Sequence, residues 1–374
     1  MRFPWKKAET DLEREVAHHL HELTAEYERQ GHSHGEALRM AKREFGGSEQ
    51  VKEQCRDERR WAWLTGLRQD VVFGARMMRR TPVITLAAVL SLALGIGANT
   101  AIVSLMDVVL WRDLPVPNPR QLALVEWQGH GFPRELLDGA SGSFGDSGAD
   151  CFSYPSFRAL RQGVSGRAWL AAFSYPDTVS ISFAGHPTVG QERPVSGNFF
   201  STLQVHARLG RLFSDSDDSD AAPATVVLSH HFWVNVLGSD PGVMGKTMSV
   251  NNKPRVIVGI LDKSFYGLFP GDATDLYTPL LHGPRQETPE GKTALNNNRF
   301  WGVQLIARRA PRVSDAQLLP VMATIFPTTW SAQPKNAANA PHLRLEEGAR
   351  GLGFLRDEFR DPLLCWVHWL VCCW

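Results

Sequence analysis

The sequence predicts an α+β protein that crosses a membrane once, and three observations lead to this fold class. An apolar stretch of about 25 residues without any charged side chain extends from Pro82 to Met106. Residues 9–60 carry apolar side chains at helical spacing, and residues 122–346 alternate short strands with helices and turns. Separate helical and mixed regions of this kind are typical of α+β architectures.

Composition limits the possible classes of protein. The 374 residues leave room for two or three domains, and a net charge of +1 gives no field that would attract nucleic acid. The mean hydropathy is slightly negative, so a single span carries a large soluble part. The five cysteines are scattered, which fits neither a disulfide scaffold nor a zinc site.

Residues 9–60 predict a small helical hairpin on the N-terminal side of the span. Gly31 separates its two helices, and Ser33 with Glu36 forms the capping box of the second helix. The apolar positions of the two helices are Leu12, Val16, Leu20, Leu23, Ala37, Met40, Ala41 and Phe45. Gly46 and Gly47 end the second helix, and a third helix is expected over 48–59.

The histidines of this hairpin suggest a metal site, but their pattern favours solvated surface side chains. They are His18, His19, His21, His32 and His34. His21 and Glu22 begin a zincin-like motif, yet Ala25 occupies the position of its second histidine.

Residues 61–80 predict an amphipathic helix that lies at the membrane interface. One face is apolar, and the membrane-interface side chains are Arg68, Arg76, Arg79 and Arg80. Such arginines pair with lipid headgroups. The alternative is an ordinary extension of the span.

The apolar stretch itself is long enough for a permanent span, since about 20 residues cross the hydrocarbon core. It begins too far along the chain for a cleaved signal peptide, and it is apolar on all sides, unlike the core helix of a soluble domain. The preceding arginines predict that the N-terminus lies in the cytoplasm and that the segment after residue 112 is exported.

Small residues within the span predict close packing against another transmembrane helix, from this chain or from a second one. These transmembrane packing residues are Ala87, Ser91, Gly95, Gly97, Asn99 and Ala101. Small side chains let helices approach in lipid, and Asn99 offers a hydrogen bond across the contact. The alternative is that small residues are simply common in spans.

The exported segment shows short elements with clear termini. Strands are predicted at 122–127, 224–228, 247–250, 255–260 and 301–307, and Ser153, Ser229 and Ser314 each precede a helix. Asn251 and Asn252 predict a hairpin turn. Residues 137–150 predict a flexible loop, and the acidic run 215–220 predicts a solvated loop without the glycine and distal glutamate of an EF-hand.

No catalytic or cofactor-binding constellation is found in the sequence. Gly245, Lys246 and Thr247 resemble the end of a phosphate-binding loop, but Asp240 replaces the required first glycine and a strand follows instead of a helix. We therefore expect no enzyme activity, no metal and no cofactor.

The chain resembles the MacB-like ABC transporter permeases, and within them the duplicated orphan permease group common in acidobacteria. The span region carries DVVFGARMMRRTP at 70–82, LGIGANTA at 94–101 and WRDLPVP at 111–117. Matching runs follow in order at 197–200, 209–213, 227–229, 232–233, 240–241, 243–248 and 256–259.

The resemblance implies a domain organisation along the chain. A helical permease prefix domain is expected at 1–60, the interfacial helix at 61–80, the transmembrane helix at 81–111 and a MacB-like periplasmic core domain at 112–350. Residues 351–374 resemble the beginning of a second span of an FtsX-like unit, and the run from Pro362 to Trp374 predicts a truncated copy.

The resemblance also implies a function, namely that of a permease subunit which relays motion from a separate ABC ATPase to the periplasmic domain for export or efflux. Its expected partners are the lipid bilayer, that ATPase, and a second copy or another permease chain bound through the span; nucleic acid is not expected. The alternative is a membrane-anchored periplasmic binding or scaffold module that acts without an ATPase.

Overall fold

The computed structural model describes residues 4–44, 68–129, 136, 139–140, 144–145, 148–219, 221–283, 295–332, 334, 340–353 and 365. The chain divides into two compact units, Met1–Thr100 and Ala101–Trp374. The predictions for Phe45, residues 46–67 and most of 351–374 lie outside the described residues.

The first unit begins with the expected helical hairpin, formed by α1 (Pro4–Arg29) and α2 (His34–Glu44). The Ser33 hydroxyl lies 3.0 Å from the Glu36 carboxylate at the start of α2. Ala37 and Ala41 are buried as predicted, whereas Met40 is 38% exposed and does not belong to the buried face. Met40 precedes Ala41 by one position and therefore points about 100° away from it. The five histidines of this region are all exposed.

Two further helices follow in the same unit, α3 at 68–80 and α4 (Pro82–Met106). The amide of Thr81 donates to Met77 and the amide of Thr85 donates to Thr81, so helical hydrogen bonds bridge the gap between them. Pro82 has no amide to contribute. This bonding is typical of one interrupted helix, the alternative given above, and an interfacial position of 61–80 stays a prediction.

Helix α4 is the one candidate membrane span among the described residues. Its most apolar window is not buried at all, which excludes the core helix of a soluble domain. Val83 is 78% and Leu94 is 72% exposed.

The second unit is a mixed α/β domain, which confirms the predicted fold class. Its helices are α5 (Tyr154–Gly163), α6 (Phe199–Leu203), α7 (His230–Asn235) and α8 (Asp315–Ile325). Its longer strands are β1 (Leu122–Gln128), β6 (Ala168–Phe173), β7 (Asp177–Phe183), β8 (His186–Val195), β9 (Ala207–Gly210), β10 (Thr225–Leu228), β11 (Thr247–Val250), β12 (Lys253–Leu261), β13 (Leu276–Pro279), β14 (Phe300–Arg309) and β15 (His342–Glu347). The two-residue strands are β2 (Gly139–Ala140), β3 (Phe144–Gly145), β4 (Gly148–Ala149) and β5 (Phe152–Ser153).

Six strands of this domain close into a ring in the order β13-β10-β12-β11-β7-β8, because β13 also pairs with β8. The ring encloses apolar side chains such as Ile181 and Leu228, together with an ion pair of 3.7 Å between Arg255 and Glu192. The sheet continues from β8 through β6 and β14 to β1, which pairs with β15. Helices α5 and α8 cover one face of this open part.

Two sequence predictions for the domain are wrong in part. The loop at 137–150 contains the short strands β2, β3 and β4, since glycine-rich chain still pairs where a neighbouring strand offers free backbone groups. The acidic run is not fully solvated, because Asp217 is only 3% exposed and forms a 2.7 Å ion pair with Arg211. Residues 245–247 were not expected to form a phosphate-binding loop, and the structure agrees, since Thr247 begins strand β11 and not a helix.

Candidate functional site

The most unusual local structure of the domain is the place where the chain leaves α4. Residues 107–111 form a π-helix, closed by a 2.9 Å hydrogen bond from the Arg112 amide to the Asp107 carbonyl. Single π-turns of this kind are often found at functional sites. An extended stretch then leads to strand β1, and we call residues 107–121 the incoming segment.

A second stretch, the outgoing segment at 348–353, runs beside the incoming segment. The Leu114 amide donates to the Ala349 carbonyl at 2.8 Å, and the Arg350 guanidinium donates to the Leu110 carbonyl at 3.1 Å. The two segments lie at the end of the antiparallel ladder of β1 and β15, in which Ala123 faces Glu347. The chain thus enters and leaves the domain through two neighbouring strands of one sheet.

A buried arginine on β14 holds the incoming segment. Arg308 is 1% exposed, and its guanidinium donates to the Pro117 carbonyl at 2.8 Å and to the Leu203 carbonyl at 3.0 Å. It also donates to the Thr202 carbonyl, at the same C-terminal end of α6. Burial lowers the pKa of Arg308 below its ordinary value. The planar guanidinium suits this task, because it presents several donors in fixed directions.

A second buried arginine, on β8, supports the outgoing segment indirectly. Arg193 pairs with Asp272 at 3.1 Å, and both side chains are 1% exposed. Asp272 accepts a 3.0 Å hydrogen bond from the Leu268 amide, and the Leu268 carbonyl accepts a 2.9 Å bond from the Leu352 amide. Gly351 fits here with φ of +72°, since a Cβ atom would lie 1.8 Å from the Leu268 oxygen.

A cluster of carboxylates crosses the ladder of β1 and β15. Arg344 lies 3.7 Å from Glu126 and 2.9 Å from Glu346. Burial, followed by the hydrogen bond and the charge of Glu346, raises the pKa of Glu126 to about 8. Asp150 adds to this effect and accepts hydrogen bonds from Tyr175, at 2.9 Å, and from Gln304. The ladder therefore carries a carboxyl group that titrates near neutral pH.

The site residues named from sequence all lie on helices of the first unit or at the start of the second. The packing residues Ala87, Ser91, Gly95, Gly97 and Ala101 are exposed on α4 and Asn99 is partly exposed. The space around Gly95 and Gly97 is open to 4 Å. Arg68, Arg76, Arg79 and Arg80 are exposed on α3. Their roles in helix packing and lipid contact stay predictions.

Sequence reasoning missed the arginines of the junction. Arg308 bonds residues 105 to 191 positions away along the chain, and Arg193 pairs with a carboxylate 79 positions away. For Arg308 the available signal was a charged residue in a largely apolar strand, and Arg193 gave no such signal because β8 also carries other polar residues. Among the described residues, no group of three His, Cys, Asp or Glu side chains has the geometry of a metal site.

Several proteins of known structure are similar to this chain. Three similar solved structures cover 60 to 63% of this chain. The periplasmic region of MacB from Actinobacillus actinomycetemcomitans is 12% identical, with 94% of its chain covered and a TM-score of 0.43. A domain of a protein described as a permease, from Porphyromonas gingivalis, is 15% identical, with 92% covered and a TM-score of 0.46. The extracellular domain of the ABC-type transporter YknZ from Gram-positive bacteria is 14% identical, with 98% covered and a TM-score of 0.40.

No protein with a curated description matches the chain. The family profile of the MacB-like periplasmic core domain matches residues 85–319, which is more than half of the sequence. The helix Pro82–Met106, most of which lies within the matched residues, is long and apolar enough to cross a membrane. The chain therefore belongs to the MacB-like periplasmic core domain family.

Proposed function

We propose that this protein is the membrane subunit of an ABC-type export system of the MacB and FtsX kind, within the duplicated orphan permease group. In this role it hydrolyses nothing itself. It relays movement driven by a separate ATPase subunit to the α/β domain outside the membrane.

The observation that carries the proposal is the pairing of the incoming and outgoing segments. The Leu114 amide bonds the Ala349 carbonyl, and the two segments lead directly into β1 and β15, so they form the proposed route by which movement reaches the central sheet. Arg308 and the Arg193–Asp272 pair brace the two segments from inside the domain.

The proposed topology places the N-terminal hairpin in the cytoplasm, because Arg68, Arg76, Arg79 and Arg80 precede the span. Spheroplasts expressing the full chain test this arrangement. External protease is expected to digest residues 112–345 and to spare α1 and α2. Protection of the α/β domain would contradict the topology.

The relay is tested on the full chain purified in mild detergent from its native membrane. An ABC ATPase is expected to co-purify, and hydrogen exchange at the Leu114 and Leu352 amides is expected to change when ATP is added. The same preparation with ADP is the control. Absence of an ATPase, or exchange that is identical with both nucleotides, would contradict the relay and favour the scaffold alternative.

A further inference from the structure

Two large aromatic side chains are exposed near the point where the chain leaves α4. Trp111, the last residue of the π-helix, is 54% exposed. Tyr266, in the loop between β12 and β13 at 262–275, is 37% exposed. Tryptophan and tyrosine are enriched at the membrane–water interface, where their rings lie among the lipid headgroups.

The loop that carries Tyr266 is fixed against the incoming and outgoing segments. Its residues Phe265 and Leu268 are buried in the same apolar cluster as Leu114 and Val116 of the incoming segment. The Leu268 carbonyl also accepts the amide hydrogen of the outgoing segment described above. Tyr266 is therefore held on the side of the domain at which the chain connects to α4.

The charged neighbours of Tyr266 fit lipid phosphates. Burial raises the pKa of Tyr266 and the charge of Arg112 lowers it, which places the two groups within electrostatic reach of each other. Arg112 and Lys263 are exposed, whereas Asp113 and Asp262 are partly buried. Asp262 stays anionic and is hydrogen-bonded within its own loop by Ser264, whose amide and hydroxyl donate to it at 2.9 and 2.7 Å, so the more exposed charges are those of Arg112 and Lys263.

The helix α4 is longer than the hydrocarbon core of a bilayer is thick. Its 25 residues extend about 37 Å at a rise of about 1.5 Å each, whereas the hydrocarbon core is about 30 Å thick. The end of α4 thus already lies among the headgroups, and Trp111 follows five residues later. A cavity of about 370 Å³ between Val116, Val205 and Phe265 opens beside the same loop and leaves room for a headgroup.

We propose that Trp111, Arg112, Lys263 and Tyr266 form a second membrane-contact surface, which seats the exported domain in the phospholipid headgroup layer. The proposal rests on the proposed function in one respect, since it needs α4 to span the bilayer. Two anchored points fix the tilt of a rigid domain, whereas one span alone leaves it free to rotate.

Site-specific photo-crosslinking of the full chain in phosphatidylethanolamine–phosphatidylglycerol nanodiscs tests the surface. Benzoylphenylalanine is placed at position 266, at Leu94 in the span, and at Val189, a 69% exposed residue of β8. Phospholipid adducts, detected by mass, are expected at positions 94 and 266 and not at 189.

The outcomes separate this inference from the proposed function. Adducts at 94 without adducts at 266 would overturn the contact surface and leave the span intact. Adducts at 189 as abundant as those at 266 would also overturn it, because the contact would then be unspecific. Absence of adducts at position 94 would overturn the membrane span and the contact surface together.

Discussion

Replacing Arg308 by methionine tests the bracing of the incoming segment directly. Methionine fills similar volume but donates no hydrogen bond, so the Thr202 and Leu203 carbonyls lose their donor in a buried place, and the Pro117 carbonyl loses it at an exposed residue. The change also removes a cation from the C-terminal end of α6, where positive charge is favourable.

The size of the effect follows from the two buried carbonyls, since water can replace the donor at the exposed Pro117. Each buried acceptor left without a donor costs about 1–2 kcal/mol, which gives about 2–4 kcal/mol for Thr202 and Leu203 together. Removing a buried charge returns part of its desolvation cost, so the net loss of unfolding free energy is about 1–3 kcal/mol. For a domain of roughly 150–250 residues this lowers Tm by about 2–12 °C.

Thermal unfolding of the full chain in detergent measures this loss, with Arg161→Met as the matched control. Arg161 also forms an ion pair, at 2.7 Å to Asp215, but its side chain is 33% exposed and its partner 64% exposed. Such surface pairs contribute about 1 kcal/mol at most. A fall in Tm for Arg308→Met no larger than that for Arg161→Met would refute the bracing role, as would unchanged hydrogen exchange at the amide of Val116.

Two further substitutions probe the ladder and the outgoing segment. The folded protein raises the pKa of Glu126 from 4.5 to about 8, so the protonated form is favoured in the fold and stability is lost as pH rises between those values. The Tm of Glu126→Gln should therefore equal that of the wild type at pH 4 and exceed it at pH 8, whereas the Tm of Glu347→Gln on β15 should follow the wild type at both. Parallel curves of Tm against pH for the wild type and Glu126→Gln would show that Glu126 does not titrate in this range. Gly351→Ala should lower the free energy of unfolding in urea by about 2–3 kcal/mol, and Gly245→Ala by about 1 kcal/mol. Both glycines have φ near +75°, but only the space around Gly245 is open. Equal losses would show that the close approach of Gly351 to Leu268 does not contribute.

Local patterns in the sequence predicted three of the four helices that the structure describes in the domain and five of its eleven longer strands. Ser153 and Ser229 accept hydrogen bonds from the amides three residues later, as their positions before helices predict. Asn251 and Asn252 adopt φ values of +49° and +65° in the hairpin turn. These features depend on side chains and backbone within a few residues, so a single sequence contains all the information required.

The junction depended on contacts that no local pattern contains. The strand predicted at 301–307 ends one residue before Arg308, because a charged side chain is normally read as the solvated end of a strand. Only the folded sheet shows that this arginine faces the backbone carbonyls of two distant segments, the incoming segment and the end of α6. The prediction of a solvated acidic loop was wrong in part for a similar reason. The burial of Asp217 depends on its ion pair with Arg211, which directly follows strand β9.

The choice of arginine at both braces has a physical reason that bears on the relay. Apolar packing alone would stabilise the domain, and a buried charge is costly for stability. However, the incoming and outgoing segments are not regular strands along their whole length, so their buried carbonyls and amides need partners from elsewhere. Arg308 on β14 donates to the Pro117 carbonyl of the incoming segment, and the Arg193–Asp272 pair acts through Leu268, whose carbonyl accepts the Leu352 amide of the outgoing segment. Segments held in this way cannot slip against the sheet without breaking several hydrogen bonds at once, which is the property that the proposed relay requires.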